Sequence, residues 1–192
     1  TISKNCLVFN DDLIANIPKQ EIKFEKINHS EIIDNIIDNL NVSYKEEGNE
    51  AYYNPINDEI HVPKSSQFKD EYSFYATQLH ELSHATGHPN RLNRDVVNTF
   101  GSEEYAKEEL RAEISSSFMM QKLKLNYDEN HYNGHKSYIR NWIDILKNQP
   151  SELFKAIKDA DQIVNYIEEQ SLRKDKTYSD LDEEKEMEIE YE

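Results

Sequence analysis

The segment "QLHELSHATGH", residues 78–88, constrains this chain more than any other stretch of it. His80 and His84 stand four apart, so on a helix both imidazoles leave one face, a single turn apart. Two neutral imidazoles so placed can share one divalent ion, at about 2.0–2.1 Å for zinc. Glu81 sits beside that line, where a carboxylate can take a proton from water that a metal has acidified. The chemistry therefore needs a helix here, anchored on something apolar. The flanking residues comply: Phe68, Tyr72, Tyr75, Leu79 and Leu82 recur at helical spacing. They predict a helix over 68–86 that stops at Gly87 in the left-handed conformation, with Pro89 forbidding continuation.

A catalytic zinc needs a third protein ligand and an open fourth position. The longer pattern H-E-x-x-H-x-x-G-x-x-H would put a histidine at position 90, which is Asn90, and His88 falls two residues early. Met119 and Met120 lie inside a predicted helix, so no methionine is placed to form the turn that accompanies that pattern. A downstream carboxylate is the other route. "EELRAE" offers Glu108, Glu109 and Glu113 on a helix predicted from its N-cap Ser102 to Lys124. Glu109 and Glu113 share a face, whereas Glu108 points about 100° away. One of the pair can bind the metal while the other holds a ligand histidine by its second ring nitrogen. Glu109 is the candidate ligand and Glu113 its substitute. The competing reading makes all three surface charges, paired with Lys107 and Arg111.

Around these helices the chain reads as α+β. "HSEIIDNIIDNLN" predicts a helix capped by Ser30, with Ile32, Ile33, Ile36, Ile37 and Leu40 on one stripe. "VSYKEE" reads as a strand, and "AYYNPINDEIHVP" as a hairpin turning at Asn54–Asp58. Two further helices are expected over 134–147 and 151–169, the first with a core stripe of Ile139, Trp142, Ile143 and Leu146. Attack by metal-activated water on a carbonyl would need a donor for the anion it forms, and "HYNGHKSYIRNW" supplies candidates in His131, His135 and Tyr138, of which His135 and Tyr138 are preferred. The competing reading is a helix start with packed aromatics. His88 is expected to be exposed, with a supporting role beside the metal or a contact with substrate as the alternative. Arg91 and Arg94 are expected to pair with the acidic surface, with orienting a substrate carboxylate as the alternative. The tyrosines are expected to pack half-buried.

Charge narrows the partners. A net charge of -16 disfavours nucleic acid and anionic membranes as direct partners. One cysteine, Cys6, forms no internal disulfide, which fits a reducing, cytoplasmic setting. No apolar run is long enough for a membrane span. The stretch 173–192 holds four basic and nine acidic residues and is expected to be a flexible tail over 171–192. The chain opens on Thr1, which suggests a piece of a longer protein, with residues 1–27 a lead-in from a missing domain and 1–170 the folded unit.

"YYNPINDEIHVPKSSQF", "YATQLHELSHATGHPNRLNR", "FGSEEYAKEELRAEI" and "GHKSYIRNWIDILK" follow one another in an order that resembles the zincin-like metallopeptidase domain of ArdC-type antirestriction proteins. Related domains occur in plasmid primases and phage polyvalent proteins. The resemblance runs from about Asn5 to Tyr166 and leaves out the acidic tail. It implies a gluzincin-type fold, with the His80–His84 helix packed on a small sheet, and one Zn²⁺ per chain held by His80, His84 and Glu109. It also implies a preceding single-stranded-DNA-binding domain, with "CLVFN" resembling the junction, and a setting in mobile elements. The chemistry expected is peptide hydrolysis with Glu81 as general base, on a peptide or protein substrate. The alternative is a metal-stabilised, non-catalytic binding module that acts in DNA transfer and antirestriction through protein contacts.

Overall fold

The computed structural model describes residues 28–125, 142–143 and 145–189, with side chains described up to 170. Helix α1 (His29–Leu40) buries Ile33, Ile36, Ile37 and Leu40, the i, i+3, i+4, i+7 stripe of an amphipathic helix. Its cap is Asn28, whose side chain accepts from the Glu31 amide, so the expected cap at Ser30 falls two residues late. Three strands follow: β1 (Ser43–Glu46), β2 (Tyr52–Asn54) and β3 (Glu59–Val62). β3 is central, parallel to β1 and antiparallel to β2, with Tyr44 opposite Ile60 and Tyr52 opposite His61. The hairpin is as expected. Asn54 Oδ1 accepts from the amides of Ile56 (3.0 Å) and Asn57 (3.3 Å), and Asp58 takes the left-handed conformation that closes the turn. Ile60 and Val62 point inward and are fully covered, while Glu59 and His61 face the other side.

Helix α2 (Glu71–Ala85) starts at Asp70, whose carboxylate accepts from the Ser73 amide at 2.8 Å. The expected start at Phe68 is too early. A 3-10 turn over Ser65–Gln67 leaves Phe68 extended, and its ring packs edge-on against Phe74. The helix ends as predicted but not for the predicted reason, because Gly87 is not in the left-handed region. A Cβ on Gly87 would collide with Val96 Cγ1 and lie 3.3 Å from Arg94 Nη2. The glycine is there for closeness, not for conformation.

Helix α3 (Glu103–Lys122) has the expected cap, Ser102 accepting from the Tyr105 amide at 3.1 Å. Helix α4 (Ser151–Ile189) runs past the expected end at 169. Of the helix expected over 134–147, Trp142, Ile143 and 145–148 are helical, and the rest, with residues 1–27, lies outside the described residues. Ile145 is buried there and Ile143 is 44% exposed, so the apolar stripe sits differently from the expected one.

The layers pack around one core. α2 lies on the sheet and on α3, and α4 packs against α1 and α3. Ile36, Ile60, Val62, Leu79, Leu82, Met119, Ile163 and Ile167 meet at its centre. Tyr44, Tyr53, Tyr72 and Tyr75 are half-buried against it, as their amphipathic rings allow. This layering packs α2 between the sheet and α3 and leaves its His80 face toward α3. No helix among the described residues is long and apolar enough to cross a membrane.

Candidate metal centre

α2 and α3 place three donors at one point. His80 Nε2 and His84 Nε2 are 3.1 Å apart. Glu109 spans them, with Oε2 at 3.4 Å from His80 Nε2 and Oε1 at 3.4 Å from His84 Nε2. These are the separations expected between neighbouring ligands of a tetrahedral ion, about 3.3 Å when each bond is 2.0–2.1 Å. Two imidazole nitrogens and a carboxylate also form the donor set that suits zinc and other first-row divalent ions. Among the described residues, His80, His84 and Glu109 form the one cluster of this kind. The residues present fit a metal.

Two more carboxylates close the outer sides of the rings. Glu113 Oε2 lies 3.5 Å from His80 Nδ1, and Glu108 Oε1 lies 3.3 Å from His84 Nδ1. Early residues of α3 thus meet late residues of α2, so the two helices run antiparallel across the site. Glu108, which helical geometry alone turns away from Glu109 and Glu113, is buried and engaged. Arg94 holds it from behind, with Nη2 at 2.8 Å from Oε1 and Nε at 3.3 Å from Oε2.

The charges follow from these contacts. Burial pushes the Glu109 carboxyl up, but its bonds to His80 and His84 outweigh that and hold it well below the usual carboxylate range. Burial pulls His84 down, yet its contacts with Glu108 and Glu109 leave it raised to about 9. His80 is likewise raised well above 6.5, burial being overcome by Glu109 and Glu113.

Glu81 lies on the inner side of α2 and is buried. Burial raises its pKa, partly offset by the nearby His80 and His84, and the backbone of Tyr53 hydrogen-bonds its carboxylate. It lines the same cavity as the three donors, about 510 Å³, walled also by Tyr72, Tyr105, Met120 and Trp142. Trp142 is therefore a cavity wall and not a core residue, with its indole N–H on the Ala106 carbonyl at 3.1 Å.

The remaining candidates fall elsewhere. His135 and Tyr138, with His131, lie outside the described residues. His88 is largely covered rather than exposed, its Nδ1 accepting from the Asn90 amide at 3.2 Å, and it stays away from the donors. Arg91 and Arg94 do not pair with the acidic surface. Arg91 is an internal staple from the hairpin turn to the ends of α1 and α2, bound to Asp58, the Leu40 carbonyl (3.1 Å) and the Ala85 carbonyl (2.6 Å). Sequence reasoning named Glu108 and Arg94 but missed the places they take at this site.

Comparison with known proteins agrees with this geometry. A family model described as a zincin-like metallopeptidase matches residues 31–159. DNA primase TraC of Escherichia coli is 40% identical over 161 residues, which cover 83% of this chain and 15% of the primase. Among solved structures, the Mn(II)-bound antirestriction protein ArdC from the R388 plasmid matches with a TM-score of 0.63 at 31% identity, over 85% of this chain and 60% of ArdC. Its metal-free structure matches with a TM-score of 0.62 at 29% identity, over 86% and 60%. The chain thus spans about 15% of the primase and 60% of ArdC.

Proposed function

The chain belongs to the zincin-like metallopeptidase family, and from that premise we propose that it holds a divalent-metal centre that hydrolyses a peptide bond. One observation carries the reading. A buried carboxylate outside the donor set, Glu81, lines the same cavity as His80, His84 and Glu109. A structural metal site has no use for such a group, whereas a hydrolytic one requires it.

In this reading His80, His84 and Glu109 hold one ion per chain. Zinc is proposed from the donor set, with Mn(II), the ion in the ArdC crystal, as the neighbouring choice. A bound ion supplies Lewis acidity, which acidifies water and polarises a carbonyl. Glu81 takes the proton from the attacking water and returns it to the leaving amine. Burial, which raises its pKa, favours the protonated form through which this two-way transfer must pass. The Tyr53 backbone keeps its carboxylate turned to the cavity. His135 and Tyr138 remain the proposed donors to the oxyanion.

The alternative, a binding module whose metal site is structural or vestigial, would be favoured by a closed site. Among the described residues His88 and Glu113 do not complete one: His88 is elsewhere and Glu113 backs the far side of His80. ArdC, moreover, is found with and without Mn(II) in matching folds, as expected where the metal is not the staple of the fold.

We assign the domain to an antirestriction or DNA-transfer protein of mobile elements, working in the cytoplasm; its likeness to a plasmid antirestriction protein supports the first part. At a net charge of -16, contact with single-stranded DNA is assigned to a part of the protein outside these 192 residues. The decisive experiment pairs metal content with turnover of a quenched-fluorescent peptide library. Glu81→Gln should keep the ion and lose roughly 10²–10⁴-fold in cleavage. A variant that cleaves as fast as the parent removes Glu81 from the chemistry. A parent that binds the ion and cleaves nothing favours the binding module.

A further inference from the structure

Arg94 lies ten residues beyond His84 in sequence, on the segment that follows α2, and yet it reaches the back of the metal site. Its guanidinium makes four contacts that tie two helices together. Two go to the end of α2, from Nη2 to the Ser83 carbonyl and from Nη1 to Thr86 Oγ1, each at 2.8 Å. Two go to α3, onto both oxygens of Glu108. The Glu108 oxygen held at 2.8 Å by Arg94 is the one that stands 3.3 Å from His84 Nδ1.

The loop is seated for this contact. The Leu92 amide donates to the Thr86 carbonyl and the Arg94 amide to the Gly87 carbonyl, both at 2.9 Å, folding the chain back along the helix end. At Gly87 a side chain would strike Val96 and crowd the guanidinium, so only glycine lets the loop lie this close.

A neutral histidine that donates Nδ1–H to a fixed carboxylate presents Nε2 as a lone pair, in a set direction. Alone, the Glu108 carboxylate could swing about its side-chain torsions. Gripped on both oxygens by a planar fork, it cannot, and a lysine has no second arm with which to do the same. We propose that Arg94 is a positioning residue of the metal centre, acting through Glu108 to fix the ring of His84 that faces the ion. This rests on the metal-site reading above, and it assigns metal affinity in part to a loop residue that touches no ligand.

The test is zinc affinity by competition with a chromophoric chelator, together with the visible spectrum of the Co(II)-loaded protein. The set is the parent, Arg94→Lys, Glu108→Gln, their double variant, and Arg91→Lys as a control for lost stability without a path to His84. We expect zinc to bind roughly ten- to a hundredfold more weakly in Arg94→Lys and in Glu108→Gln, with a shifted Co(II) spectrum in both. The double variant should be no weaker than Glu108→Gln alone, because the two residues act in series. Arg91→Lys should lower the melting temperature and leave affinity and spectrum unchanged. Parental affinity in Arg94→Lys, or additive losses in the double variant, overturns the inference while the metal reading stands. A parent that takes up no metal overturns both. Should Arg94→Lys not fold, Glu108→Gln still decides, since parental affinity there refutes the relay.

Discussion

If His80 and His84 hold a metal ion as proposed, protons must compete with it for the same two imidazoles, and that competition has a direction that titration can read. In the metal-free protein His84 is raised to about 9 by its contacts with Glu108 and Glu109, against the opposing effect of burial. Its folded value exceeds the ordinary 6.5 of the unfolded chain. The protonated ring therefore stabilises the metal-free fold fully below pH 6.5, and that contribution is lost as the pH rises through about 9. A rise from 6.5 to about 9 is worth roughly 3 kcal/mol. His80 acts in the same sense, while Glu108 and Glu109 are held below the usual range and stay ionised throughout. Metal binding needs neutral rings, so uptake must release at least one proton, and affinity should rise roughly tenfold or more per pH unit over this window. Urea melts of chelator-treated protein at pH 6.5, 7.5 and 9 give the first quantity, and zinc competition at the same pH values gives the second. Metal-free stability should fall with pH while metal affinity climbs. Stability that is flat or rising, or affinity indifferent to pH, would refute the proton-for-metal exchange.

Two further substitutions test the frame that carries the site. Gly87→Ala forces a methyl group against Val96 and should cost about 1–3 kcal/mol in chemical denaturation, with weaker metal binding as the Arg94 loop lifts away. A metal affinity equal to the parent's would show that the loop's closeness does not matter to the site. Ile163→Ala opens a cavity at a fully covered position of α4 and should cost about 2–5 kcal/mol, read from the urea midpoint, without altering metal affinity in the folded protein.

How much of this was legible in the sequence depends on the range of the interaction. α1 and the core face of α2 were readable because one period of apolar residues dictates both the helix and its buried stripe. The hairpin was readable from its turn residues. Helix starts were less so. Asn28 and Ser30 are both good caps, and which one serves depends on where the preceding chain enters. Arg91 and Arg94 read as surface charges because nothing local reveals the carbonyls and carboxylates that the folded chain turns toward them. Gly87 carried a correct signal for a wrong reason: a glycine after a helix suggests the left-handed cap, but a glycine also marks a place where two segments touch.

Glu108 shows where helix-wheel reasoning stops. Along α2 the two histidines are separated by about 6 Å of rise, and along α3 Glu108 and Glu113 by about 7.5 Å. With the helices antiparallel, that slightly longer pair brackets the histidines from outside, meeting the two Nδ1 atoms, while Glu109 drops between the two Nε2 atoms. Seen on α3 alone, the three carboxylates spread over about 140° and look unrelated. Seen from two rings standing nearly perpendicular, at 82°, that spread is what is needed, because the rings present their outer nitrogens in different directions. A proposed ligand between two supporters, spaced to straddle a four-residue pair, is thus a pattern present in "EELRAE". It becomes readable only once the crossing of the two helices is known, and the arginine that holds its near end comes from a loop that no periodicity describes.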